Sequence, residues 1–435
     1  MAFGGGVWTT QDKVLPGAYI NFISTGSADA RLSERGYTSM PLELDWGPDG
    51  EIFEVTAEDF QNRSLSIFGY DYTHEKMKGL RDLFAYAKVL YAYRLNSGEK
   101  AACKFATAKC SGVRGNDLRV IIANSVDETG KFDVSGYLGT SKLSTQTVAT
   151  AAELKDDGFF TWKKDATLEE TAGTSLTGGT NGEVTGDSYQ TYLDKAESYS
   201  FNVMGIVTGD EKMKDLCGNY VKRMRDEIGV KFQLVMHNAP ADFEGVINVK
   251  NATTDADWPE ESAVYWATGA SAGCAVNASN TNKKYDGEFT IACDYTQAQL
   301  VKAIRSGEFT FHRVGSEIRV LQDINSYVTF IDEKNELFAD NQTIRVIDQI
   351  ANDMAVTFNT RYLGTVANDA AGRISLWNDV CKLHQALEAI GAIEDFDPET
   401  VTVEQGNTKK SVVCTVRNLN IVNAMTQLYM SVIVA

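Results

Sequence analysis

The sequence predicts a multidomain chain of α/β and α+β class, with a β-rich module inserted into its α/β part. Three observations predict it. A strand–helix–strand pattern occupies 201–238, and a second α/β pattern occupies 26–97. Between them lies a stretch rich in Thr, Ser, Gly and Asp whose apolar runs are short. One α/β pattern on both sides of a different composition marks the middle as an insertion.

Each element follows in order. Residues 1–25 read as an arm. GGG (4–6) supplies a bend, Pro16-Gly17 follows, and Ala18, Ile20 and Phe22 alternate as a strand does. Ala18, Tyr19, Ile20 and Phe22 are therefore candidate strand residues in search of a sheet. In 26–97, PLELDW (41–46) suits a strand, 74–87 a helix with Met77, Leu80, Leu83 and Phe84 on one face, and KVLYAYRL (88–95) a buried strand. The insertion covers 98–185 and ends in TSLTGGTNGEVTGD, read as flexible.

The second core part is 186–275. FNVMGIV (201–207) and KFQLVMHN (231–238) are strands, joined by a helix from the N-cap Asp210 through Ile228, with Gly229 as its stop. Such a βαβ unit implies parallel strands. Residues 276–424 read as an α+β domain. Thr296 and Gln299 form a capping box before Leu300, Val301 and Ile304. GEFTFHRV and SEIRVLQDI suit a strand pair. Two helices follow, one with Ile344, Ile347, Ala351, Met354 and Phe358 as its apolar stripe, the other with Leu376, Val380, Leu383, Leu387 and Ile390. LYMSVIVA (428–435) is a strand-like arm within 425–435, its candidate strand residues being Leu428, Met430, Val432 and Val434.

Composition excludes several function classes. The chain has 435 residues and a net charge of −18. Nucleic-acid grooves need a field of Lys and Arg, so direct binding of nucleic acid is not expected. No apolar run approaches the roughly 18–20 residues that span a bilayer, and no basic-then-apolar leader opens the sequence. Neither membrane insertion nor secretion is expected. The seven cysteines are odd in number and lack CxxC spacing, which fits a reducing bacterial cytoplasm as the place of synthesis.

No catalytic constellation emerges. The four histidines are His74, His237, His312 and His384, none in HExxH and none with cysteines at zinc spacing. His384 reads as a surface residue. His237 ends a strand of the βαβ unit, where α/β enzymes keep reactive groups, but nothing near it resembles a nucleophile motif. There is no GxSxG elbow and no GxxxxGK[ST] loop. GGTNG (178–182) reads as a turn, and NATTDADWPEE (251–261) as a solvated loop anchored by Trp258. MRDEIGVK (224–231) reads as a solvated charged face, with an inter-subunit salt-bridge surface as the alternative. No catalytic residue, metal or cofactor is expected. An α/β hydrolase or protease would need a Ser or Cys within reach of His74 or His237.

Several blocks along the chain together resemble the tail sheath proteins of contractile phages, phage-like bacteriocins and related injection machines. They are LPGAYINF (15–22), RGYTSMPLELDWGP (35–48), SGVRGNDLRVII (111–122), LTGGTNGEVT (176–185), PADFEGVINVKN (240–251), YDGEF (285–289), QDINSYVTF (322–330), IRVIDQIANDM (344–354), IGAIEDF (390–396) and LYMSVIVA. No block is specific alone; their order carries the resemblance. It implies a subtilisin-like α/β core without proteolysis. It implies a helical homo-oligomer of stacked hexameric rings around a tail tube protein, with baseplate and terminator proteins at its ends. It implies that the two arms add strands to a neighbour's C-terminal domain. By the same analogy, the helix with Ile344, Ile347, Met354 and Phe358 is tube-facing or core. A non-contractile tube or shell subunit is the structural alternative.

Overall fold

The computed structural model describes residues 32–434. The chain enters at β1 (Tyr37–Leu42), β2 (Ile52–Thr56), α1 (Ala57–Phe68), α2 (Lys78–Phe84) and β3 (Val89–Arg94). The β1 ladder starts and stops earlier than the predicted 41–46. It runs beside β3 from Tyr37↔Val89 to Leu42↔Arg94. On its other side it pairs only at Thr38 and Ser39, so Pro41, which has no N–H to donate, sits where the second ladder has ended. The predicted helix at 74–87 begins as a 3₁₀ turn, Glu75–Met77, before α2. His74 caps that turn, its Nδ1 accepting from the Lys76 N–H at 3.1 Å.

The insertion is built of β4 (Ala106–Ala108), β5 (Leu118–Asn124), β6 (Phe132–Leu138), β7 (Ser141–Val148), β8 (Phe160–Trp162) and β9 (Thr171–Ser175). An antiparallel sheet in the order β7-β6-β5-β9 faces the β4-β8 pair across a core that includes Phe105, Leu118, Val120, Val134 and Trp162. Gly136 lets the layers meet: a Cβ there would stand 2.5 Å from the Phe160 ring.

The stretch read as flexible is held instead. Thr177 exchanges backbone bonds with Ala102, and the Asn181 side chain donates to Asp45 at 2.9 Å. The two connections of the insertion run side by side, backbone against backbone. A Cβ on Gly98 would lie 2.1 Å from the Thr180 carbonyl oxygen, and one on Gly182 would lie 2.0 Å from that of Ser97. Close approach explains Gly179 and Gly182 of GGTNG, while Gly178 has open space around it and a turn-like φ of 86°.

The core resumes with α3 (Gly186–Ala196), β10 (Val203–Ile206), α4 (Glu211–Arg223), β11 (Gln233–His237), β12 (Val246–Val249), α5 (Ala263–Gly273), α6 (Gln297–Arg305) and β13 (Glu308–Phe309). Seven strands form one sheet in the order β13-β12-β11-β10-β1-β3-β2, parallel except where β2 meets β3. Alternate residues serve opposite faces. Val203, Val235, Ile247 and Val249 pack with α5; Met204, Ile206, Leu234 and Val246 pack with α3 and α4. The predicted α4 is present with both caps. The Asp210 side chain accepts from the Lys212 N–H at 2.8 Å. A π-type turn carries the helix from Met224 to Ile228, and Gly229 closes it at φ 88°.

The boundary expected at 276 is not where the central packing ends. β13 pairs with β12. The hairpin of β14 (Phe311–Val314) and β15 (Glu317–Val320) brings Phe311 and Val320 into the same cluster as Val203 and Trp266. The remainder holds α7 (Asn341–Thr357), α8 (Ala370–Ala389), β16 (Ile393–Glu394), β17 (Val401–Gln405), β18 (Val412–Val416) and β19 (Asn420–Ile421). The loop at 251–261 is not merely solvated. Asp255 pairs with Lys78 at 2.7 Å, and Trp258 packs edge-on against Phe289 at 5.1 Å.

One buried acid on α2 predicts a pH dependence. Asp82 is 2% exposed and accepts from the Tyr285 hydroxyl and the Glu288 N–H. Burial pushes its pKa up from 3.8 to about 6. The folded state therefore binds this proton more tightly than the unfolded chain. Its contribution is full below the unfolded value and is lost as pH rises to the folded value. Stability should fall by up to about 3 kcal/mol over that window. Urea midpoints of the wild type and Asp82→Asn across that range check this, and the variant should lack the decline. Parallel curves for the two proteins would contradict it.

Candidate functional site

The features that assembly can use lie in the C-terminal part, and one helix positions them. The apolar stripe read on α7, as a tube-facing or core helix, is Ile344, Ile347, Ala351, Met354 and Phe358. Ile344 is buried, Ile347 and Met354 are half-buried, and Phe358 is 36% exposed. The face that α7 sinks most deeply is polar. Asn341, Arg345, Asp348, Gln349 and Asp353 are all buried. Arg225 at the end of α4 holds Asp348 with two bonds of 2.7 and 2.8 Å. Arg345 donates to Asp323 at 2.6 Å. Gln233 on β11 donates to Asn341 at 2.8 Å, and the Ser33 hydroxyl, leading into β1, donates to Asp353 at 2.6 Å.

The MRDEIGVK segment thus carries neither a merely solvated face nor, at Arg225, an inter-subunit contact. Arg225 is 3% exposed and paired within the chain. No spacing rule links Arg225 to Asp348, so the pair could not be read from the sequence. Burial pulls the Arg225 pKa down, but the Asp348 carboxylate outweighs it and the net shift is upward. The guanidinium stays charged.

The start of α7 also anchors the chain's last segment. The Gln342 side chain donates to the Val422 carbonyl at 2.9 Å and accepts from the Ala424 N–H at 3.0 Å. Asn423 meets Thr343. Beyond this root the chain enters no ladder among the described residues. Leu428, Met430, Val432 and Val434 are 73–87% exposed, and Met425, Tyr429 and Ile433 are 88–99% exposed. Ala18, Tyr19, Ile20 and Phe22 lie outside the described residues.

Open strand edges stand in the same region. β17 and β18 form a two-stranded antiparallel sheet, laid on α8 through Val401, Val380 and Leu376 and a bond from the Trp377 indole N–H to the Val401 carbonyl at 3.1 Å. Among the described residues it has no third strand. A two-stranded sheet is marginal alone, and its edges offer unpaired N–H and C=O groups. Further apolar exposure lies at the far end of α7 and α8, on Val356, Phe358, Leu363 and Ile374.

The histidines form no catalytic set. Among the described residues no serine or cysteine bonds to a histidine side chain; the partners are Lys76 N, Asn238, the Lys250 backbone and the Val380 carbonyl. His384 is not on the surface as expected. It is 1% exposed, and its Nδ1 lies 2.8 Å from the Val380 carbonyl. Its ring stacks on Phe396 at 5.1 Å, a partner from the following loop that helix periodicity does not reveal. Burial holds the pKa of His237 below its ordinary value, and the opposing pull of Glu261 and Glu260 offsets this only in part.

The comparisons with known proteins follow this architecture closely. Four family profiles match in series. They are a tail sheath protein Gp18 domain III N-terminal region at 35–95, a phage tail sheath protein beta-sandwich domain at 96–181, a phage tail sheath protein central domain at 182–326 and a phage tail sheath C-terminal domain at 333–435. The sheath tail protein of Desulfitobacterium hafniense, a solved structure, is 37% identical, with 89% of this chain and 93% of that chain covered and a TM-score of 0.79. The chain belongs to the phage tail sheath family. A relative in Bacillus subtilis (strain 168), the phage-like element PBSX protein XkdK, is 32% identical over 380 residues, 80% of this chain and 81% of XkdK. The helical sheath of the anti-feeding prophage in its contracted state shares the fold alone, at 10% identity and a TM-score of 0.58 over 96% of this chain. The sheath core thus joins its C-terminal domain through the polar seam of α7.

That seam makes a measurable claim. Asp348→Ala leaves Arg225 buried and uncompensated, which costs about 3–5 kcal/mol. Ile374→Ser on the exposed face of α8 should change stability by no more than about 0.5 kcal/mol. Urea unfolding followed by fluorescence compares the two, and equal shifts would show that the seam carries no stability.

Proposed function

We propose that this sheath subunit polymerises as stacked hexameric rings around an inner tube, its extended ends supplying strands to neighbouring C-terminal domains. The chain is a tail sheath subunit by family; what is added here is how it assembles. The observation that carries the reading is a complementary pair of features. The segment after Ala424 exposes a row of apolar side chains, and among the described residues the β17–β18 pair has no third strand at either edge. Strand addition satisfies both, because a backbone ladder pairs the edge and the neighbour's surface covers the apolar row. The N-terminal residues Ala18, Tyr19, Ile20 and Phe22 are assigned the same role from their alternation.

The tube-facing surface is proposed at the exposed end of α7 and α8, around Val356, Phe358 and Ile374, and not at Ile344, which is core. We read the doubly wound seven-stranded core as a subtilisin-like scaffold without catalysis. Its strand order supports the first part, and the histidine partners above support the second. The domain limits proposed from the sequence are kept except at 276, where the hairpin β14–β15 belongs with the core. Contraction follows from two packings of one rigid body connected by flexible ladders.

Deleting 1–22 or 426–435 should leave a folded, soluble subunit that no longer polymerises. Circular dichroism checks the fold, and electron microscopy checks for wide ribbed tubes. Normal tubes from either truncation would overturn the arm model. Thin smooth tubes or closed shells from the intact chain would favour a non-contractile subunit.

A further inference from the structure

His237, Glu260 and Glu261 come together at the end of the core sheet where parallel strands deliver their C-termini. His237 is the last residue of β11. Glu260 and Glu261 form the 3₁₀ turn that leads into α5. One ligand atom from each lies within 4.8 Å of the other two. Atoms bound to one first-row metal at about 2.0–2.2 Å each stand at most about 4.4 Å apart, so the set must draw inward to close on an ion.

Three observations separate this cluster from an ordinary acidic helix start. First, His237 is 2% exposed, and its ring makes one bond with the Lys250 backbone and a long one, 3.4 Å, with the Asn238 amide. Second, Glu261 is 7% exposed, yet among the described residues no hydrogen bond reaches its carboxylate. The residue is buried, but its carboxylate oxygens keep some contact with solvent, from which a cation could reach them. It lies over Gly209, where a Cβ would stand 2.6 Å from its Oε1, so the backbone leaves room for this one group. Third, the charges do not balance. Lys214, which bonds Glu211 and approaches the Asn238 carbonyl, is the cation nearby. Against Glu211, Glu260 and Glu261 it leaves an excess of two negative charges.

We propose that His237, Glu260 and Glu261 bind one divalent first-row cation, zinc being the best matched, which ties β11 to the first turn before α5. An imidazole with two carboxylates favours such a metal over Mg²⁺ or Ca²⁺, which take oxygen ligands. Glu260 is exposed and gives the ion its entry path, with water completing the coordination. Bound there, the ion links β11 to the turn before α5 and stiffens the body that the proposed arms connect. The ligands come from two separate chain segments, so no motif announces them.

Titrating the reduced full-length protein with ZnCl₂ by calorimetry, alongside thermal unfolding, tests the proposal. The wild type should bind one equivalent and melt at a higher temperature with zinc present. Glu261→Gln and His237→Gln should weaken binding at least about tenfold. Glu260→Gln, at an exposed position that leaves folding intact, should also weaken it about tenfold. All variants keep the seven cysteines, so zinc held by thiols would appear equally in every protein. No binding by the wild type, or equal binding by wild type and Glu260→Gln, overturns the site.

Discussion

The buried charged seam between α7 and the central domain sets the geometry on which assembly depends. Arg225 with Asp348 and Arg345 with Asp323 are all within 8% of full burial. Desolvating four charges costs several kcal/mol per ion before their attraction returns any of it. An apolar contact of the same area would hold α7 as firmly, but it would tolerate sliding. Two-point bonds such as Arg225 to Asp348 fix direction as well as distance. Since Gln342 and Thr343 on the same helix hold the root of the C-terminal segment, the seam also fixes where that segment leaves the body.

The seam and the arm have opposite chemistry, and this divides their tasks. The seam is polar, and its two ion pairs close within one chain. The arm is apolar and exposed, and is incomplete until something covers it. A subunit with a net charge of −18 repels its copies in solution. Strand addition is short-ranged and directional, so it acts once two bodies are already aligned. A rigid body with compliant ends can then change its packing against neighbours without losing its connections.

Local signals were legible in the sequence, and long-range ones were not. Asp210, Gly229 and the Thr296–Gln299 capping box lie within a few residues of the groups they bond, so the ends of α4 and the start of α6 were readable. The parallel β10–β11 pair followed from the apolar runs at its two strands. The α7 face was misread because helical periodicity weighs apolar residues. It gives no weight to a polar stripe whose partners, Arg225, Gln233 and Asp323, lie elsewhere in the chain. His384 was misplaced for the same reason, with Phe396 as the missing partner. Gly182 and Gly179 of GGTNG answered to other backbone passing at Ser97 and Gly112, contacts that only the fold creates. Of the assembly features, the exposed end of the chain was visible as alternation. The root that holds it, and the open pair β17–β18, required the structure.

Hydrogen–deuterium exchange on isolated subunits and on assembled tubes tests the central claim most directly. If the ends complete a neighbour's sheet, amides in 426–434 exchange freely in the isolated subunit and become strongly protected in tubes. Protection at an outer edge of β17 or β18 should rise with them. Equal, fast exchange of 426–434 in both states would contradict the account, because tubes would then be held by surfaces other than strand ladders.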